Sequence, residues 1–308
     1  MTNYPERGAP TAYLIDASIY IFRAWFSVPD SMRGENGLPV NAVYGFCRFL
    51  TEFVERSQAT HVAVAFDESL TQSFRNDLYP QYKMNRELPP KELSDQFKLC
   101  KRLVEAAGLL SIAHHRYEAD DLLATAAKSM RAEGYRIGIV TGDKDLTQVL
   151  RGYDFWWDFA KNVQLDSALV KDKFGVLPEA IQDYLGLCGD AVDNIPGVPG
   201  IGPKTATALL QAFPTMEDLY DNLGDIQHLK IRGAKSLAAK LREHKDQAFL
   251  SKQLATVEYA APVNIESKLL RRRSAELGSL QELGQIMGGR GDGLFERLVN
   301  SAQRSLAQ

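Results

Sequence analysis

Cysteine is scarce in this chain and follows no pattern: Cys47, Cys100 and Cys188 are the whole set, and they lie far apart. They form no CxxC pair and no zinc-ligand spacing, and an odd, unpatterned count belongs to a reducing cytoplasm rather than a disulfide scaffold. Long apolar runs are missing too. Nothing approaches the roughly 18 apolar residues of a membrane span, and the N-terminal Met-Thr-Asn-Tyr-Pro-Glu-Arg-Gly has no apolar core of a signal peptide. Positive charge is not in surplus, since 36 basic and 39 acidic residues leave a net charge of −3. This weighs against nucleic-acid binding by bulk charge, though not against basic residues gathered on one face. Gly-x-Ser-x-Gly, GxxxxGK(S/T) and a GxGxxG opening a helix after a strand are absent, and with them the usual marks of a serine hydrolase, a P-loop and a dinucleotide site. There are no repeats and no low-complexity tracts. What remains is a globular composition, 45% hydrophobic and 24% charged over 308 residues, enough for about two domains.

The first half alternates short apolar runs with longer amphipathic ones. Strands are predicted at 12–16, 61–66, 109–113, 137–141 and 154–158, and helices at 17–26, 40–57, 92–107, 119–133 and 145–151. Such alternation predicts an α/β fold with a mainly parallel sheet flanked by helices. The segment 68–91 interrupts the pattern. It is long, mixed in charge, aromatic, and ends at Pro89-Pro90; connections of this length in a compact domain are usually functional. From about 166 the chain reads as short helices at 166–174, 178–187, 203–212, 215–222, 234–243 and 245–254. The predicted organisation is an α/β core at 1–165, a helical part at 166–262 packed on it, and an extension at 263–308. That extension holds Arg271-Arg-Arg273, a glycine-rich piece and a short helix at 293–303, and its role is not legible in the residues.

Carboxylates recur where this fold brings them together. Asp16 and Asp67 end apolar runs, Asp143 and Asp145 follow a third, Glu118, Asp120 and Asp121 cluster in Tyr-Glu-Ala-Asp-Asp, and Asp190 and Asp193 lie in Gly-Asp-Ala-Val-Asp-Asn. Ligands of open parallel sheets bind beyond the carboxyl ends of the strands, so these acids are expected at one crevice. Taken singly, each has an ordinary explanation as a helix cap or a turn residue. Capping does not, however, require acids at three strand ends as well. Like charges that converge raise one another's pKa, and hard oxygen donors are relieved by Mg²⁺ or Mn²⁺. Glu118, Asp120 and Asp121 can all approach one site only if the helix begins after Glu118, so Glu118 is expected just before it and the two aspartates in its first turn. Two divalent ions in such a site suit phosphodiester hydrolysis. His114 and His115, being adjacent, are expected to point to different faces at a strand end.

The run Asn194-Ile-Pro-Gly-Val-Pro-Gly-Ile-Gly-Pro-Lys204-Thr-Ala resembles a helix-hairpin-helix at about 189–213. Gly197, Gly200 and Gly202 permit the turn, Pro203 suits the first turn of the next helix, and backbone N–H groups there, with Lys204, hold a phosphate. Together with Leu14-Ile-Asp-Ala-Ser, Phe74-Arg-Asn-Asp-Leu-Tyr-Pro-Gln-Tyr-Lys-Met-Asn-Arg86, Tyr117-Glu-Ala-Asp-Asp, Thr141-Gly-Asp-Lys-Asp and Arg232-Gly-Ala-Lys-Ser-Leu-Ala-Ala-Lys, in this order over about 12–262, the chain resembles the bacterial 5′-nuclease family. This family comprises flap endonucleases and 5′–3′ exonucleases, and the likeness is to the nuclease domain at the N-terminus of DNA polymerase I.

The resemblance implies a PIN-like core and a structure-selective 5′-nuclease acting where duplex meets a 5′ single strand. All nine acids correspond to the family's metal-site carboxylates, with Asp67 and Asp143 among the catalytic residues. The segment 68–91 corresponds to the helical arch. Lys83 and Arg86 are expected to contact the scissile phosphate, Tyr82 to stack on a nucleobase, and Arg23, Lys235 and the hairpin (Gly197, Gly200, Gly202, Lys204) to touch DNA. Pro39-Val-Asn-Ala-Val-Tyr-Gly-Phe resembles the segment that packs on duplex near the junction. Implied cofactors are two or more Mg²⁺ or Mn²⁺ ions, with K⁺ at the hairpin. Implied partners are DNA with a 5′ flap or free 5′ end and RNA primer–DNA hybrids, bound by a cytoplasmic monomer with no membrane contact, in primer removal and repair. Two other readings are a metal-dependent ribonuclease on a similar sheet and a DNA-binding protein without catalysis.

Overall fold

Short, nearly continuous apolar runs build a sheet buried on both faces. The computed structural model describes residues 4–68, 72–231 and 233–306. Residues 1–3 of the N-terminal stretch, 69–71 of the expected arch, Arg232 of the Arg-Gly-Ala-Lys motif and the last two residues lie outside the described residues. Strands β1 (Thr11–Asp16), β2 (His61–Asp67), β3 (Leu110–His114), β4 (Arg136–Val140), β5 (Phe155–Asp158) and β6 (Val163–Leu165) form one sheet in the order β3-β2-β1-β4-β5-β6. Every pairing is parallel except β5 with β6. The helices among them are α1 (Ala17–Ser27), α2 (Asn41–Ser57), α3 (Phe74–Leu78), α4 (Lys91–Ala106) and α5 (Ala119–Ala132).

Successive strand side chains point to opposite faces. Ala12, Leu14, Ala63, Ala65, Ile137 and Ile139 bury against Leu122, Leu123, Ala126 and Met130 of α5. Ile15, Val62, Val64, Phe66 and Val140 bury on the other face with Ile21 of α1, Phe46, Leu50 and Phe53 of α2, and Leu103 of α4. The chain moves outward from β1 through β2 to β3, then returns to β4 on the other side of β1. That reversal opens a crevice at the carboxyl ends of β1 and β4, the topological position at which such sheets bind ligands.

The helical part comprises α6 (Ser167–Phe174), α7 (Ile181–Cys188), α8 (Pro203–Ala212), α9 (Met216–Asp221), α10 (Ala234–Glu243) and α11 (Lys245–Ala255). Its apolar residues, among them Leu185, Leu209, Leu219 and Leu241, continue the core under α5. Two expected helices differ in detail. Residues 145–151 form a 3-10 turn over Asp145–Val149, and 178–187 begins with a 3-10 turn at Pro178–Ala180 before α7. The short edge strand β6 was not signalled by its three residues.

The extension adds α12 (Ser267–Leu270), α13 (Leu277–Ile286) and α14 (Asp292–Leu306), of which only the last was expected. It returns to the first part of the chain: the backbone N–H groups of Arg272, Arg273 and Glu276 donate to the carbonyls of Thr60, Gly108 and Ala106 at 2.8–2.9 Å. Gly108 has φ +74°, and a Cβ there would lie 2.2 Å from the Arg273 carbonyl, so only glycine admits this approach. Leu280, Leu283, Phe295 and Leu298 then bury on the α2/α4 layer. The extension is thus a cover for the outer face of the α/β core.

Candidate metal centre and nucleic-acid interface

Five acids gather at the carboxyl edge of the sheet. Asp16 ends β1, with one oxygen accepting from Thr141 Oγ1 at 2.9 Å while Oδ1 is buried with no partner. Asp67 ends β2 and accepts from Ser18 Oγ at 2.7 Å and the Ala119 N–H at 2.8 Å, which ties it to the starts of α1 and α5. Asp143 sits in the turn after β4, where its Oδ1 accepts the Asp145 N–H at 2.8 Å. Asp145 Oδ1, like that of Asp16, is buried without a hydrogen bond. Asp120 lies in the first turn of α5.

Their electrostatics follow from this crowding. Burial, then Asp67, raises Asp16 to about 7. Burial, then Asp143, raises Asp145 to about 8. Burial, then Asp143 and Asp16, pushes Asp120 well above the usual carboxylate value. Asp143 is raised chiefly by burial. Buried carboxylates with orphaned oxygens and mutual repulsion lack positive charge. The donor set is all oxygen, which suits a hard divalent cation. Among the described residues no three of these acids close into a ready cage.

A second group of acids is already paired. Glu118 caps α5 as expected, with Asp120 and Asp121 in the first turn. The corollary that all three reach one site is corrected by the structure. Asp121 is fully buried and turns to Arg75, whose guanidinium grips it bidentately at 2.7 and 2.8 Å. It also accepts the N–H groups of Glu118 and Glu258. With both oxygens hydrogen-bonded, Asp121 is held as a structural anchor between α5 and Arg75. Glu118 Oε2 receives Lys83 Nζ at 3.0 Å, Arg75 at 3.5 Å and the Tyr82 hydroxyl at 3.0 Å. Burial raises its carboxyl, but Lys83 and Arg75 outweigh burial and hold it below the ordinary value.

Asp193 is paired in the same way. Arg86 Nη2 reaches its Oδ1, and Lys83 Nζ lies 3.6 Å from Oδ2. Asp190 Oδ1 instead accepts the Val192 N–H at 2.7 Å inside its own turn.

The arch segment therefore lies down on the loop before the hairpin. Lys83 N–H donates to the Asp193 carbonyl, Asn85 Nδ2 to the Ala191 carbonyl and Asn194 Nδ2 to the Gln81 carbonyl. Lys83 itself adopts φ +55° to make this approach. Only α3 is helical within the described part of the segment. Tyr82 does not serve as a stacking platform here. It is 3% exposed, packed with Ile195 and Leu254, and its hydroxyl is spent on Glu118 and Asp193. His114 and His115 also depart from expectation. Their rings stack at 4.5 Å, because the strand ends at His114 and His115 is free to turn back.

The hairpin runs from α7 to α8. Asp190 and Ile195 pair across its base, with N–H···O distances of 2.9 and 2.7 Å. At Gly197 φ is +59° and a Cβ would stand 2.3 Å from the Gly189 nitrogen, which excludes any side chain. Helix α11 pins this residue: Ser251 Oγ accepts the Gly197 N–H and Gln247 Nε2 donates to its carbonyl. Gly200 has φ +77°, and Gly202 caps α8 with open space around it. Lys204, Lys235 and Arg23 are all exposed, as phosphate contacts require.

Sequence reasoning missed Arg75, Thr141, Ser18 and Lys240. Arg75 and Lys240 stand inside motifs already singled out, but nothing in the residue order says that Arg75 turns inward to Asp121. Nor does it place Lys240 Nζ 2.7 Å from the position of a Cβ on Gly200. These are pairings across 46 and 40 residues.

Comparison with known proteins agrees with this geometry. Residues 11–175 match the model of the 5′-3′ exonuclease N-terminal resolvase-like domain, and residues 176–277 that of the 5′-3′ exonuclease C-terminal SAM fold. The chain is 38% identical to DNA polymerase I of Bacillus subtilis over 256 residues, covering 82% of this chain but only 28% of the polymerase. It is 36% identical to a 5′-3′ exonuclease of Buchnera aphidicola over 258 residues, covering 84% of this chain and 85% of that protein. Among solved structures, T5 5′-exonuclease with divalent metal ions (zinc) bound is similar in fold, with a TM-score of 0.64, 18% identity and coverage of 96% of this chain and 98% of the other. The catalytic core of Rad2 in complex with DNA substrate gives a TM-score of 0.62 at 20% identity, covering 95% and 92%.

Proposed function

The chain belongs to the 5′–3′ exonuclease family, and from that premise we propose that it is a structure-selective, divalent-metal-dependent 5′-nuclease. It hydrolyses DNA phosphodiesters where a duplex meets a 5′ single strand, at a flap or a free 5′ end. The observation that carries this reading is the set of five raised or crowded acids (Asp16, Asp67, Asp120, Asp143 and Asp145) at the sheet's carboxyl edge, with Lys83 and Arg86 lying against the neighbouring pair Glu118 and Asp193. Mg²⁺ or Mn²⁺ held there would supply an activated water and charge stabilisation of the leaving oxygen.

The protein's own residues do the rest. Asp16, Asp67, Asp120, Asp143 and Asp145 provide the negative cradle, with Asp145, Asp190 and Asp193 on the side nearest the hairpin loop. Lys83 and Arg86 are the cations that can exchange a carboxylate for the scissile phosphate, adding positive charge where it develops negative charge. Lys204, Lys235, Arg23 and the hairpin backbone hold the duplex by its phosphates, which fixes register without reading bases. Specificity then rests on shape and strand polarity. In cells this activity suits removal of flaps and RNA primers during replication and repair in the bacterial cytoplasm. K⁺ at the hairpin is a narrower proposal: the carbonyls of Gly197, Val198 and Gly202 already accept protein donors, so a potassium titration of duplex affinity tests what the remaining carbonyls hold.

The decisive assay is cleavage of a labelled 5′-flap duplex in Mg²⁺, in Mn²⁺ and in EDTA. Metal-dependent release of the flap with a 5′-phosphate on the product supports the reading. Binding without cleavage overturns it in favour of a non-catalytic DNA-binding protein, and preference for single-stranded RNA favours a ribonuclease.

A further inference from the structure

A cavity of about 260 Å³ lies away from the acid centre, between α1, α2 and the turn that joins β5 to β6. Its floor is aromatic and buried. Tyr20 and Phe49 stack with ring centres 3.7 Å apart, and Phe159 meets Phe49 edge-on at 5.4 Å. Its rim carries three arginines, Arg23, Arg48 and Arg56, and a single carboxylate, Glu52. That carboxylate compensates little. Arg48 reaches it only at 4.0 Å, with both side chains about half exposed. Arg23 has no ion pair among the described residues. Arg56 is held in place without an acid: its guanidinium stands 4.4 Å over the Phe159 ring and donates to Asn162 Oδ1 at 2.5 Å.

Three guanidiniums gather around one hollow although the chain's net charge is −3. Their planar forks match phosphate oxygens, and the aromatic floor suits the carbon face of an attached sugar. The position fits a strand that continues to the acid centre. Arg23 is seven residues beyond Asp16 along α1, a rise of roughly 10 Å. We propose that this pocket is a second phosphate site, gripping a nucleotide phosphate between Arg23, Arg48 and Arg56 with its sugar against Tyr20, Phe49 and Phe159. Its assignment to a nucleic-acid strand rests on the nuclease reading. The same chemistry also fits the phosphate of a free nucleotide, and the test separates the two.

The test compares the wild type with Arg48→Ala/Arg56→Ala and with Arg48→Lys/Arg56→Lys, all in EDTA so that no strand is cut. The substituted side chains are on the rim, and a melting curve verifies folding. One arm measures the Kd of a fluorescent 5′-flap duplex across a salt series. The other measures binding of a deoxynucleoside 5′-monophosphate. With a strand phosphate in the pocket, the alanine pair raises the duplex Kd about tenfold and lowers the slope of log K against log salt by about one to two. The lysine pair falls between, because it keeps the charge and loses the fork. Saturable monophosphate binding that disappears in the alanine pair, with duplex affinity unmoved, supports the pocket with free nucleotide as its source. Should the wild type bind monophosphate through these arginines but no DNA, the nuclease reading fails and the pocket stands. If the alanine pair matches the wild type in both arms, the pocket proposal is overturned.

Discussion

Lys83 Nζ lies 3.0 Å from Glu118 Oε2, so a cation of the 68–91 segment is seated on a carboxylate that neighbours the five-acid cluster. Its ammonium is held well above the ordinary lysine value, since burial, which opposes this, is outweighed by Glu118. The lysine thus stays charged and competes with any other cation for Glu118 and Asp193. Lys83→Met is expected to tighten Mn²⁺ binding several-fold in calorimetry while slowing flap cleavage, because in the proposed function the competitor is also the phosphate ligand. Unchanged Mn²⁺ affinity would show that the two cations do not share these carboxylates.

The Arg75–Asp121 pair joins three elements. Arg75 also donates to the carbonyls of Leu254 and Thr256, so it ties α3 to α5 and to the end of α11. Arg75→Ala leaves Asp121 buried without its cation, a class of change that costs roughly 3–5 kcal/mol. Chemical denaturation should register that loss, and limited proteolysis should show cleavage between 72 and 86 that the wild type resists.

Asp143 is held by backbone and hydroxyl contacts rather than by a cation, through the Asp145 N–H and through its own N–H to Thr141 Oγ1. Asp143→Asn keeps that shape and removes the charge. Losing several kcal/mol of charge stabilisation corresponds to a drop of roughly 10³-fold in cleavage. Flap affinity in EDTA should stay within about twofold. Near-normal turnover would remove Asp143 from the metal centre.

Lys204 stands exposed in the first turn of α8, next to the Gly202 cap. Lys204→Ala is expected to weaken duplex binding and to lower its salt slope by about one. The weakening should be equal across base sequences, since a phosphate contact carries no base information. Competition assays with two unrelated duplexes check this.

Stability without metal should fall with rising pH. Asp16 and Asp145 have folded values near 7 and 8, above their ordinary 3.8, so the folded state holds protons that the unfolded chain releases. The stabilisation is complete below about pH 4 for these two groups and is lost as pH passes through 7 and 8. Melting in EDTA should therefore drop between pH 5 and 8.5. Added Mg²⁺ should flatten that drop, since it binds the ionised form. Glu118, held below its ordinary value, acts in the opposite sense and only in acid.

The α/β core was readable because its strands are short apolar runs with acids at their ends and its helices are amphipathic at regular spacing. Glu118 just before α5, with the two aspartates in its first turn, followed from helix geometry together with the expectation that the three acids converge, an expectation Asp121 does not meet. The hairpin followed from its glycines, of which Gly197 and Gly200 adopt positive φ and Gly197 also makes a close approach that admits no side chain. The folding-back of 272–276 onto Thr60, Gly108 and Ala106 was not readable, because those hydrogen bonds use backbone that any sequence carries. The short helices at 267–270 and 277–286 were hidden for a similar reason, since they form mainly by packing on a surface built elsewhere.

By itself the sequence determined which chemical groups are available and near which element ends: nine carboxylates, a long segment at 68–91 carrying cations and a glycine hairpin. Only the tertiary structure decided how these acids divide. It left Asp16, Asp120 and Asp145 crowded and short of positive charge. It gave Asp121 to Arg75, and Glu118 and Asp193 to Lys83 and Arg86, and in the process it buried Tyr82. The reason is physical. Charge and burial act through space, between residues far apart in the chain, and their balance is set by which side chains the packed sheet and helices bring close to one another.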